Sequence, residues 1–118
     1  MKIAVYGTLR RGEGNWSYFL KGRSAYLKTA VISGFRMVTN GAYPYAIEFE
    51  GNITVDLFEI DEDTLERLDY LEGYPSHYNR KLIDVGDDQA WIYYTENKEF
   101  LKRYAEVPSG DWLVKEAV

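Results

Sequence analysis

The stretch that most constrains the fold is "DEDTLERLDYLEGYP", residues 61–75, the one segment with a clear helical period. Leu65, Leu68 and Leu71 make a single apolar stripe along it. Asp61 and Asp63 are both suitable N-caps, and Asp63 with Glu66 has capping-box spacing. Gly73 suits the left-handed position that closes a helix, and Pro75 forbids its return. A lone apolar stripe needs a partner surface, and the rest of the chain offers mostly strands. That combination predicts an α+β fold with a small closed or nearly closed sheet.

The strands are read from β-branched and aromatic runs between turn residues. Residues 2–6 form a buried strand stopped by Gly7. Residues 24–38 read as one long strand bent near Gly34, and Asn40-Gly41 as a hairpin-type turn. Residues 45–60 read as two strands around Gly51-Asn52. Ile53, Val55 and Leu57 alternate there with Thr54, Asp56, Phe58 and Ile60. "NRKLIDV" and "QAWIYY" are strands joined by "GDD". Short helices are expected near residues 15–20, capped by Asn15 or Ser17, and within residues 96–104. "VPSGDW" is a turn returning Trp112 to the body. No linker, repeat or charge run divides the 118 residues, so a single domain over 1–118 is expected.

Composition excludes several chemistries. With no cysteine, there is no disulfide, thiolate metal site or cysteine nucleophile. His77 is the sole histidine, so a multi-histidine metal centre is excluded too. The net charge of −5 argues against a nucleic-acid partner, leaving Arg10 and Arg11 as the only candidate basic patch. Residues 3–6 are too short an apolar run for a signal sequence or a membrane span, so a cytoplasmic protein without a membrane partner is expected. The 11 tyrosines are read as strand and core packing, or as a pocket wall with hydroxyls to spare.

One carboxylate is out of place. Glu72 occupies the last helical turn, beside the negative end of the macrodipole, where ionisation costs about 0.3–1 kcal/mol. Burial among Tyr74, Pro75 and Tyr78 would raise its pKa further. Two readings stand side by side: a solvated side chain at a frayed end, or an acid able to take and return a proton. The spacing "EGYPxxYxR" favours a wall built around the acid. The second clue is "VYGTLRRGEGN", in which Gly7 allows backbone N–H groups to converge on an anion or a carbonyl oxygen. A plain tight turn has the same appearance. Neither GxxxxGK[ST] nor GxGxxG is present.

Together, "VYGTLRRGEGN" at residues 5–15, "YP" at 43–44, "LDYLEGYPSHYNR" at 68–80 and "SGDW" at 109–112 resemble the gamma-glutamylcyclotransferase-like family, particularly its gamma-glutamylamine branch. The resemblance implies a small, mostly antiparallel β-barrel flanked by short helices. It implies release of an amine from an L-γ-glutamyl compound by attack of the α-amine, giving 5-oxoproline, with no metal or organic cofactor. Carried over by position, Glu72 is the catalytic residue. Tyr6, Gly7, Thr8 and Leu9 supply the substrate-binding turn, and Tyr78 is the aromatic that follows the acid. Arg10 and Arg11 are either substrate-guiding or a solvated pair. Arg80 orients Glu72 or pairs with Asp84, His77 is surface or packing, and Asn15 is a cap. The alternative is a non-catalytic module binding an amino-acid-like molecule on the same fold. The leaving amine and the oligomeric state stay open.

Overall fold

The computed structural model describes residues 1–114. Its elements in chain order are β1 (Lys2–Val5), α1 (Gly14–Phe19), β2 (Ala25–Thr39), β3 (Pro44–Glu59), α2 (Glu62–Glu72), β4 (Asn79–Val85), β5 (Asp88–Tyr94), α3 (Phe100–Arg103) and β6 (Ala105–Glu106). The strands form one curled sheet in the order β4-β5-β1-β3-β2-β6. Among the named strand pairs of the described residues, β1–β5 is parallel and the others are antiparallel, with a further parallel bridge between Ile47 and Thr95. This mixed, mostly antiparallel half-barrel with short helices is the expected fold class.

The curl has a local cause. Residues 44–59 form one continuous strand, not the two expected around Gly51-Asn52. The pairing with β2 jumps from Ser33↔Asn52 to Phe35↔Glu48, so both strands bend together at Gly34 and Gly51. Gly51 is required there because a Cβ would stand 2.7 Å from the Phe35 carbonyl oxygen. After the bend, β3 has two different neighbours. Its second half pairs with β1, from Val5↔Asp56 to Lys2↔Glu59. Its first half meets the chain leaving β5, through Thr95 N–H to Ala46 O at 2.9 Å and Glu48 N–H to Thr95 O at 3.3 Å. The early part of β3 thus takes over beside β5 where β1 ends.

Both faces of the sheet are covered, which explains why its central strands are apolar on both sides. On one face, Ile3, Val5, Ile47 and Phe58 pack with Leu65 and Leu68 of α2. On the other, Ala4, Tyr6, Val55, Leu57 and Ile92 form a second cluster, with Trp112 packed against it. Leu68 is fully buried, so Leu68→Ala would cost about 2–5 kcal/mol.

Helix α2 forms as its sequence dictates. The Asp61 side chain accepts the Thr64 N–H at 2.8 Å, and Gly73 adopts φ 65°. Asp63 does not build a capping box; it pairs with Arg67 at 3.0 Å. The C-terminal end is closed by Tyr74 N–H to Asp69 O at 2.9 Å and Gly73 N–H to Tyr70 O at 3.2 Å. Helix α1 differs from expectation: Glu13 stands at its N-cap without a side-chain bond, and neither Asn15 nor Ser17 caps it.

Candidate functional site

Where β1 ends, its chain must leave the sheet, and it does so through Tyr6-Gly7-Thr8-Leu9. A cavity of about 340 Å³ opens at this point, lined by those four residues and by Glu72 and Tyr78. All six expected site residues therefore meet in one place. Gly7 is needed for space rather than for handedness. A Cβ there would lie 2.7 Å from Pro44 Cγ, while its φ is not positive. The turn is held through its carbonyls: Arg10 N–H donates to Gly7 O at 2.9 Å and Trp16 N–H to Thr8 O at 3.1 Å. Among the described residues, the N–H groups of Gly7, Thr8 and Leu9 have no partner. The turn thus brings unengaged donors to the cavity lining while its Gly7 and Thr8 carbonyls are held. Leu9 is at once part of the hydrophobic core and of the cavity lining.

Glu72 enters the cavity from the last turn of α2. No hydrogen bond or ion pair reaches its carboxyl among the described residues, and burial raises its pKa from 4.5 to about 7. Of the two causes expected from sequence, burial dominates. Tyr6 and Tyr78, both buried, have their pKa values pushed up by burial and further by neighbours that include Glu72. They remain neutral across the working pH range. The Tyr78 hydroxyl donates to Pro44 O at 3.4 Å, fixing the aromatic wall to the start of β3.

Several residues contribute differently from expectation. Asn15 is a cavity residue, and its Nδ2 donates to Thr8 Oγ1 at 2.7 Å. His77 is exposed and packs its ring against Tyr45 and Tyr78, as expected of it, and in addition lines the cavity. Arg10 is neither substrate-guiding nor solvated. It is 5% exposed, bonded to Asp111, with Nη2 3.3 Å from Asp56 Oδ1 and Nε 3.3 Å from Asp56 Oδ2 but not aligned for a hydrogen bond. Arg11 lies over the Tyr26 ring at 4.0 Å and gives its backbone N–H to Asp56 at 3.0 Å. Arg80 pairs with neither Glu72 nor Asp84. It binds Asp69 through two bonds of 2.8 and 3.2 Å.

Tyr43, Pro44, Leu71 and Tyr93 complete the walls. Tyr43 and Pro44 were visible as the "YP" piece of the resemblance. Tyr93 carried no sequence signal separating it from ordinary strand packing. Among the described residues no group of three or more His, Asp or Glu side chains is arranged to hold a metal ion, and no helix is long and apolar enough to cross a membrane.

In this half-barrel an unpaired acid and free main-chain donors line one cavity of small-molecule size. Residues 3–114 match the family described as gamma-glutamyl cyclotransferase, AIG2-like, and the chain belongs to that family. A Methanocaldococcus jannaschii protein is 36% identical over 118 residues, with 93% of each chain covered. The gamma-glutamylcyclotransferase family protein YtfP of Escherichia coli is 33% identical over 114 residues, with 96% of each covered. Among solved structures, a Pyrococcus horikoshii protein superposes with a TM-score of 0.80 at 29% identity, covering 95% of this chain and 89% of its own.

Proposed function

We propose that the protein is a cofactor-independent cyclotransferase that cleaves an L-γ-glutamyl amine into 5-oxoproline and the free amine. The observation that carries this reading is that Glu72, unpaired, lines the same cavity as the turn whose Gly7, Thr8 and Leu9 N–H groups are free. Family membership supports it.

The substrate's α-amine attacks its own γ-carbonyl carbon. As the new C–N bond forms, Glu72 takes a proton from that nitrogen. The carbonyl oxygen becomes an oxyanion, for which main-chain N–H groups of the turn are suitable donors. The bond to the departing nitrogen then breaks, and Glu72 returns the proton to it. No water is consumed and the acid ends as it began. The cavity walls of Tyr78, Tyr43 and Pro44 hold the glutamyl chain curled, so that attack needs one conformer rather than an encounter. The nucleophile belongs to the substrate, which suits a chain without cysteine. A small free substrate and the cysteine-free composition fit a cytoplasmic setting.

The test is incubation with a panel of L-γ-glutamyl amines, reading 5-oxoproline. Release by the wild type and loss in Glu72→Gln, with the fold retained, supports the reading. A wild type inert on the whole panel, whose ligands still raise its melting temperature, supports a binding module instead.

A further inference from the structure

Behind Glu72 lies a second polar assembly that the proton transfer does not use. Asp69 is one turn earlier on α2, on the same helix face. Its Oδ1 accepts the Tyr93 hydroxyl at 2.7 Å and Arg80 Nε at 2.8 Å, and its Oδ2 accepts Arg80 Nη2 at 3.2 Å. Arg80 is itself clamped, with its guanidinium 4.3 Å from the Trp91 ring centre and 4.5 Å from that of Tyr74. Tyr93 borders the same cavity as Glu72, and the charge of Glu72 acts on its hydroxyl.

We propose that Asp69, fixed by Arg80, is a positioning residue that engages the Tyr93 hydroxyl and thereby keeps it from donating to Glu72. The inference rests on the reading of Glu72 as the proton carrier. A phenol donating to a carboxylate stabilises the ionised form. Tyr93 lines the same cavity as Glu72, its ring is nearly inaccessible, and its hydroxyl is engaged by Asp69 one turn before Glu72 on α2. With Asp69 present and held by two bonds, the hydroxyl stays with Asp69. Glu72 then keeps both oxygens free for the substrate.

The other titratable groups around Glu72 are Tyr6 at the end of β1, Tyr43 in the β2–β3 turn, and His77 and Tyr78 after α2. Tyr78 has its own acceptor in Pro44 O. The Asp69–Arg80 pair carries no net charge, so its effect on Glu72 comes through Tyr93 rather than through the field of an acid.

The experiment is carboxyl NMR titration of Glu72 in the intact protein, which needs no turnover. Asp69→Leu with Arg80→Met removes the pair without changing net charge and frees the phenol. The Glu72 midpoint is expected to fall by about one pH unit, and adding Tyr93→Phe is expected to return it. An unmoved midpoint in the double variant, or a fall that Tyr93→Phe does not reverse, overturns the proposal. If the double variant does not fold, Tyr93→Phe alone decides. The midpoint must stay in place, and a rise means the hydroxyl already serves Glu72. A protein that turns over no γ-glutamyl amine defeats the cyclotransferase reading yet leaves this titration decisive for the positioning.

Discussion

Pro44 occupies the space that a side chain on Gly7 would need, with its Cγ 2.7 Å from the position of that missing Cβ. The start of β3 and the end of β1 are thus in contact at the floor of the cavity. Gly7→Ala must displace a proline ring fixed by the adjoining strand. Overpacking of this kind costs about 1–3 kcal/mol. Urea denaturation should show that loss, and 5-oxoproline release should fall by more than the folded fraction explains, because the turn donors move with Gly7.

The turn is anchored from behind by buried charge. Asp56, 3% exposed, receives Arg10, the Arg11 N–H and the Thr29 hydroxyl, the last at 2.6 Å. Asp56→Ala strands the Arg10 guanidinium with only Asp111, at a cost of about 3–5 kcal/mol. Replacing both, as Asp56→Leu with Arg10→Met, should recover the part of that loss due to the stranded guanidinium in the same denaturation assay, while the Arg11 N–H, the Thr29 hydroxyl and Asp111 still lack their partners. Equal losses in the single and double variants would remove the ion pair from the account.

Glu72 is bought at a cost in stability. Its carboxyl keeps a proton up to about pH 7 in the fold, against 4.5 ordinarily. Between those values the folded state binds more protons than the unfolded chain, so stability from this group declines as pH rises. Glu72→Gln should therefore raise the melting temperature at pH 8, by an equivalent on the order of 3 kcal/mol, and change it little at pH 4. A gain of equal size at both values would assign the effect to packing instead.

The N-cap of α2 lies at the opposite end of the helix from Glu72. Asp61→Ala removes the acceptor for the Thr64 N–H and should cost about 1 kcal/mol. Thermal melts at pH 7 read this directly. Turnover per folded molecule should hardly change, because the last helical turn is fixed separately by Gly73 and Asp69.

Much of this site was legible where local chemistry decides structure. The leucine stripe, the Asp61 cap and the Gly73 stop specify α2 within a few residues, and so place Glu72 at its end. What escaped was set by distant partners. Arg10 beside Arg11 looks like surface charge, yet its acceptors lie 46 and 101 residues away in the chain. Gly51-Asn52 has the composition of a hairpin turn, but here the glycine serves a close backbone approach inside one strand. Asn15 precedes a helical segment and so resembles a cap, while its amide is drawn to Thr8 across the turn. Arg80 finds Asp69 on the neighbouring helix rather than Asp84 on its own strand.

The most direct test of the account is the pH dependence of kcat/KM for 5-oxoproline release from the best γ-glutamyl amine. The account predicts a rising limb with a midpoint near pH 7, set by Glu72, and its loss together with the activity in Glu72→Gln. A limb near pH 4.5, or a limb near 7 that survives Glu72→Gln, would contradict it.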